Sequence, residues 1–452
     1  MKQTFLFFVS LLLVACQTEY NSIDGQQTKV LLGANWEKTL PSLELCSDKA
    51  VNILLTDTVT TVTAGPVNIP TLPMSEDGID DAVMVPLGRT PDFHIQYIEQ
   101  IESDDGLLFV LGREQSVEIR NGKPFHLSEK GCFIFDRRGK LLAKVGRTKA
   151  KPKGKGELMR KIYHLCIDRQ RKEIILEATS DQFVFDGLFY YNYKGKFLRK
   201  QAIPPATFLQ EPQVVGDRFV QMWNHNLNVD IYNAPRLMLY DEKSTPVSRA
   251  LLRPSLSMSS YESGNSLVSS SDGLYYAPLF SDTIWQITPE KAIARYVISG
   301  PIIGSTVNPY RQDSLFTPKE WIMGKKNRLC RNAFCISPDF LLLGFGYYTE
   351  VHWEREGSWG GTCLPSLCLL DRTTNHTCWL QTSNITALRQ EFYLDALRIT
   401  DDGVMVCYQT VEELKRSVAY DRSYITDKEK AFIKRLKMDD NPVLLLAKLK
   451  HF

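Results

Sequence analysis

The chain is 452 residues long, about three times the commonest single-domain length, so it is either several small domains or one large repetitive body. With 43% hydrophobic and 23% charged residues it is neither disordered nor collagen-like. Fifty-four Lys and Arg stand against 52 Asp and Glu, and the net charge of +2 excludes the basic excess of a dedicated nucleic-acid binder.

The first sixteen residues read MKQTFLFFVSLLLVAC, with Lys2 ahead of an apolar run from Phe5 to Val14. That run is roughly ten residues, about half of what a spanning helix needs, and predicts a cleaved export signal over residues 1–15. Its end, Leu13-Val14-Ala15-Cys16, resembles the bacterial lipobox. The resemblance implies cleavage before Cys16, diacylglyceryl attachment to its sulfur and N-acylation (palmitate or similar) of the new terminus. Several acyl chains, at roughly 0.8 kcal/mol per buried methylene, hold a domain on a membrane stably. Gln17, rather than Asp, at the next position favours the outer membrane by analogy with lipoprotein sorting, with the periplasmic or surface face left open. Residues 16–80 are expected to be a tether and a small N-terminal segment.

From about residue 81 to 452, short apolar runs recur between turn dipeptides. Two stretches match closely: Phe133-Ile-Phe-Asp-Arg-Arg-Gly-Lys-Leu-Leu-Ala-Lys144 and Phe189-Tyr-Tyr-Asn-Tyr-Lys-Gly-Lys-Phe-Leu-Arg-Lys200. In each, an aromatic strand ends in Asp136 or Asn192, whose side chain can close the turn. Gly139 or Gly195 then supplies positive φ. Weaker copies begin at Leu237, Thr283 and Leu367, and a second hairpin precedes each copy. Pairing the hairpins gives four-stranded units of about fifty residues, the size of a propeller blade.

Six units fit, over 95–147, 161–204, 211–252, 266–298, 333–382 and from Leu397 to the end. The predicted fold is all-β, a six-bladed β-propeller of NHL-like or YWTD-like architecture. A charged stretch, Val411 to Lys437, interrupts the last unit, and Asp427 to Lys437 within it has helical spacing. This predicts a small helical insertion. The count leaves blade 6 one strand short, and Asp81-Ala-Val-Met-Val-Pro-Leu87 is expected to supply its outer strand and latch the ring.

The lipobox, the Phe-Asp-x-x-Gly-Lys-x-Leu hairpin, Asp282-Thr-Ile-Trp-Gln-Ile287 and Asp439-Asp-Asn-Pro-Val-Leu-Leu445 together resemble the six-bladed β-propeller lipoproteins of Bacteroides-type bacteria. The resemblance covers residues 80–452. At Lys153-Gly-Lys-Gly-Glu-Leu158 the chain departs from that family's Gly-Pro-Gly-Glu-aromatic loop.

Nine cysteines remain after Cys16. Those between Cys330 and Cys378 allow a local disulfide, whereas Cys132, Cys166 and Cys407 sit in apolar runs and are expected to be buried. Neither the cysteines nor the seven histidines show ligand spacing, so neither metal nor cofactor is expected. Arg147 to Lys155 is the densest basic run, read as a solvated inter-blade loop. Trp353 and Trp359, with His352 in the same loop, and Trp223 with His225 are the candidate ligand-binding residues. Exposed tryptophan suits stacking on a sugar or peptide ring, while packing between blades is the competing role. Thr58, in Asp57-Thr58-Val59, is a candidate O-glycosylation site. The expected function is a membrane-anchored module binding an envelope protein, peptide or glycan, not nucleic acid. The alternative is a hydrolase or lyase at the channel mouth using His225, His352 and nearby carboxylates.

Overall fold

A computed structural model describes residues 40–47, 49–54, 60–64, 67–71, 74–75, 78–89, 93–120, 123–149, 157–159, 161–181, 184–201, 209–223, 235–243, 245–252, 266–277, 283–299, 329–351, 361–380, 397–419 and 426–452. Six sheets, antiparallel within each blade, are arranged as a β-propeller, and two further pairs of short strands, Thr60–Ala64 with Val67–Thr71 and Arg147–Lys149 with Glu157–Met159, lie outside these sheets. Blade 1 comprises Tyr97–Asp104, Leu107–Arg120, Lys123–Asp136 and Leu141–Val145. Blade 2 comprises Lys161–Asp168, Glu173–Asp181, Val184–Asn192 and Phe197–Gln201; blade 3 comprises Leu209–Val215, Arg218–Trp223, Pro235–Tyr240 and Pro246–Leu252. Blade 4 is built from Leu267–Ser270, Gly273–Tyr276, Thr283–Ile287 and Lys291–Ser299, and blade 5 from Leu329–Ile336, Phe340–Val351, Gly361–Asp371 and Thr377–Leu380. The first strands of successive blades touch one another and line the axis.

Blade 6 has Arg398–Ile399, Val404–Gln409 and Val443–Leu449, and its outer strand is Ile79–Pro86, paired antiparallel with the C-terminal strand. The ring is thus closed by pairing Ile79–Pro86 with the C-terminal strand Val443–Leu449. Pro86 terminates this edge strand, where its missing N–H leaves no ladder bond unmade. The helical insertion between Val404–Gln409 and Val443–Leu449 contains two helices, α1 (Val411–Ala419) and α2 (Asp427–Arg435). Thr426 caps α2 in a reciprocal box with Glu429.

Strand alternation explains why the blade sequences read as nearly continuous apolar runs. Side chains two apart share a face, and in a propeller both faces of each blade are covered. Phe133 and Phe135 pack toward blade 6, whereas Cys132 and Ile134 pack toward blade 2. An apolar cluster of this kind fills each of the six seams. Cys132, Cys166, Cys335, Cys368, Cys378 and Cys407 are buried. Burial pushes the Cys335 and Cys407 thiols up to about 12, which makes them small hydrophobes and not nucleophiles.

The N-terminal segment does more than tether. Pro41 and Leu43 exchange backbone hydrogen bonds with Arg249 on the outer strand of blade 3. Glu44–Cys46 and Val51–Leu54 then pair parallel with Lys291–Ser299, and Met74–Ser75 pairs parallel with Thr377–Leu380 before the latch strand begins. Along this belt Leu40 packs against the seam between blades 2 and 3, Leu43 enters seam 3/4 and Ile53 seam 4/5. Ile79 and Val85 serve seams 5/6 and 6/1. Among the described residues only the seam between blades 1 and 2 receives no belt side chain.

Candidate functional site

Antiparallel order gives the ring two unlike ends. At one end lie the tight turns joining first to second and third to fourth strands. At the other lie the connections between second and third strands, helices α1 and α2, and the links from blade to blade.

The turn end is closed. Asp136 Oδ1 accepts from the N–H of Arg138 and Lys140, both at 2.9 Å, while Asn192 Oδ1 accepts from Lys194 and Lys196 at 3.0 Å. Asp241 and Asp371 repeat the device. Gly139 and Gly195 adopt φ of +78° and +75°. The repeated Asp or Asn and Gly of the sequence are therefore turn closures. Each turn also grips its neighbour. Lys172 Nζ lies 2.8 Å from Asp104 across seam 1/2, and Arg171 Nη2 2.7 Å from Glu242 across seam 2/3. Arg218 Nη1 donates to the Pro289 carbonyl at 2.6 Å and Arg372 Nη2 to Asp272 at 2.8 Å. The Phe452 N–H donates to Asp371, and Arg137 pairs with Asp402, holding that carboxyl near 2. Exposed ion pairs contribute little singly, but here every seam has a turn-to-turn contact, ionic at seams 1/2, 2/3, 4/5 and 6/1.

The axis carries a buried polar network. Arg398 of blade 6 donates through Nη2 to Glu102 of blade 1 at 2.6 Å and to the Ser269 carbonyl of blade 4. Arg169 of blade 2 donates through Nη1 to Ser269 Oγ at 2.5 Å and through Nη2 to the Ser103 carbonyl at 3.1 Å. Its Nε stands 3.5 Å from Asp401 of blade 6. Two arginines and two carboxylates thus join four blades across the axis.

Nearer the loop end, Gln100 spans to blade 2, accepting from the Leu165 N–H at 3.0 Å and donating to its carbonyl at 2.5 Å. His164 Nε2 lies 3.2 Å from Gln213 Nε2 of blade 3. Ladder irregularities at matching places, between Ile98 and Gln100, Ile162 and His164, and Gln210 and Gln213, re-aim these three side chains. Burial, with the charges of Lys130 and Arg398, pushes His164 down to about 3. It is neutral at ordinary pH and acts as a hydrogen-bonding bridge, with no proton to exchange there.

A family model described as a domain of unknown function, DUF4934, matches residues 94–448. The chain belongs to this family. Among solved structures, a Bacteroides fragilis protein described as exported is 14% identical with a TM-score of 0.59, over 90% of this chain and 100% of that one. A DUF4221 family member from Bacteroides vulgatus is 9% identical with a TM-score of 0.49, over 83% of this chain and 99% of that one. No curated protein matches the chain.

In this DUF4934 chain, Trp223 ends the second strand of blade 3, with its side chain outside the described residues. His225, His352, Trp353 and Trp359 also lie outside them, as do Cys16 and Thr58. The described strands flanking both candidate loops end at the loop end. The structure does not gather the other histidines. His94 meets the Asp440 carbonyl, His164 sits in seam 2/3, and His451 pairs with Asp371 at the turn end. Among the described residues no three His, Cys, Asp or Glu side chains form a metal-binding group. Sequence reasoning passed over the axial residues. Gln100, His164 and Gln213 stand in first strands that carry other polar residues as well, so no single position stands out.

Proposed function

We propose that this chain is an exported, acyl-anchored propeller whose loop end binds a protein, peptide or glycan of the cell envelope. The observation that carries this is the asymmetry of the ring. Turns and an ionic plug close one end, while the longer connections with Trp223, His225, His352, Trp353 and Trp359 belong to the other. A rigid scaffold with variable loops at one end is suited to recognition. The description of the Bacteroides fragilis neighbour as exported agrees with the signal-like N-terminus. The lipobox assigns the anchor to Cys16, and Gln17 points to the outer membrane.

Two outcomes are expected. Pull-down of the lipidated protein from its native envelope should recover a partner, and Trp353→Ala with Trp359→Ala should weaken that capture roughly tenfold or more with the urea midpoint unchanged. A lowered midpoint would make these tryptophans packing residues instead. Cys16→Ser should move the protein from membrane to soluble fractions, and retention on membranes would refute the acyl anchor.

A further inference from the structure

The net charge of +2 hides a polarised rim. From Arg137 to Lys144 the turn and outer strand of blade 1 carry four cations and no carboxylate, and Tyr193 to Lys200 of blade 2 do the same. The matching stretch of blade 3, Glu242 to Arg249, carries two cations and one carboxylate, and the outer strand of blade 6 carries two aspartates and no cation. Arg137 and Arg199 are paired with Asp402 and Glu173, whereas Lys140, Lys194 and Lys196 are exposed and have no carboxylate partner among the described residues.

Two leucines stand among these charges. The outer-strand ladders slip between Leu141 and Ala143 in blade 1, and between Phe197 and Arg199 in blade 2. The residue at each bulge, Leu142 or Leu198, turns outward and is 48% or 43% exposed. In blade 3 the equivalent Val247 packs inward against the cluster that includes the belt residue Leu43. Blades 1 and 2 also flank the one seam that no described belt residue enters. The two turns form one surface, since a Cβ on Gly195 would lie 3.1 Å from the Lys144 carbonyl.

We infer that the outer rim of blades 1 and 2 docks on an anionic phospholipid surface, so that the ring stands on its edge with the loop end free to the side. Cations ringed around outward-facing leucines match a headgroup layer in charge and in depth. The tether supports the same sector. Cys16 precedes Leu40 by 24 residues, at most about 85 Å of chain, and Leu40 lies at seam 2/3, beside the basic rim. The inference rests on the acyl-anchor reading, with the rim setting orientation and the acyl chains holding the protein.

The test is lysine acetylation footprinting of the full lipidated chain. It is compared free, on phosphatidylethanolamine vesicles, and on vesicles of equal phosphatidylethanolamine and phosphatidylglycerol. On the mixed vesicles, labelling of Lys140, Lys194 and Lys196 should fall roughly threefold or more and recover in high salt. Lys428 and Lys434 of α2 should not change. Leu142→Glu with Leu198→Glu should abolish the protection while the protein still sediments with vesicles. Equal labelling on both vesicle types, or unaltered protection in the double variant, would overturn the inference. So would protection without lipid, which would mean that the chain's own residues cover the rim. If the chain does not sediment with phosphatidylethanolamine, the anchor reading fails. The rim is then judged on mixed vesicles at low salt, where protection upholds the inference and its absence overturns it.

Discussion

Arg398→Met is expected to cost about 3–5 kcal/mol of stability, the usual penalty for removing one partner of a buried ion pair. The Arg398 and Glu102 side chains are only 6% and 4% exposed, and the pair is the contact that joins blade 6 to blade 1 at the axis. Without the arginine, Glu102 keeps only Arg169 Nη2, at 3.9 Å, as a charged partner in the network. A carboxylate left buried with so distant a partner either pays its desolvation or takes up a proton. The measurement is the urea midpoint at unchanged slope. Glu102→Gln in the same chain should recover part of the loss, because the stranded charge is gone. A single variant that costs less than about 1 kcal/mol, or a double variant no better than the sum of the singles, would show that the axis is solvated and that the network plugs nothing.

That network marks where reading the sequence ran out. Turn chemistry was legible because it is local. Asp136 and Asn192 lie four residues from the last amide they bind, and the glycines stand within the same few residues. The six-fold repeat, the all-β class and the helical insertion followed from such local signals and strand periodicity. The latch was legible by count, because five blades held four strands and one was short. The axial residues are of another kind. Glu102 and Arg398 are 296 positions apart, and nothing local in either strand announces the other. The belt was missed for a related reason. Leu43 and Ile53 sit in a segment with weak strand character, and parallel pairing with Lys291–Ser299 depends on an edge that exists only after the ring closes. Helix α1 was absorbed into a charged stretch because only Val411 and Leu414 among its described side chains are fully buried, too few to stand out as an apolar stripe.

The same distinction bears on the candidate site. Trp223, Trp353 and Trp359 were singled out as residue types suited to stacking, a property of composition. What the fold adds is that the described strands flanking their loops end at the same end of the ring, opposite the plugged one. The basic run at Arg147 to Lys155 was read alone as a solvated loop. It follows directly on the outer strand of blade 1, and residues 150–155 of it lie outside the described residues.

Ring closure gives the second large effect. Gly139→Ala is expected to cost about 3 kcal/mol or more, combining left-handed strain with a forced backbone shift. Gly139 has φ +78°, and a Cβ there would run into the Pro86 carbonyl oxygen and lie 2.9 Å from Val85 Cγ1. Pro86 and Val85 belong to the latch strand, and the Gly139 carbonyl already accepts from the Gly88 N–H at 2.7 Å. Asn441 fixes the same corner, donating to the Gly88 carbonyl at 2.7 Å and accepting from the Ile95 N–H at 3.0 Å. The turn cannot recede without releasing these bonds, nor the latch without opening seam 6/1. Two other glycines calibrate the prediction. Gly195, at φ +75°, occupies the equivalent turn of blade 2 but faces the Lys144 carbonyl at 3.1 Å, so Gly195→Ala should cost about 1–2 kcal/mol. Gly106, at φ +74°, has nothing within 4 Å, so Gly106→Ala isolates backbone strain at about 1 kcal/mol. Urea midpoints of the three variants should therefore fall in the order Gly139, Gly195, Gly106, with Gly139→Ala the least stable. Equal losses at all three would mean that turn strain alone governs and that the latch yields freely. In that case closure of the ring would rest on the strand pairing of Ile79–Pro86 with Val443–Leu449.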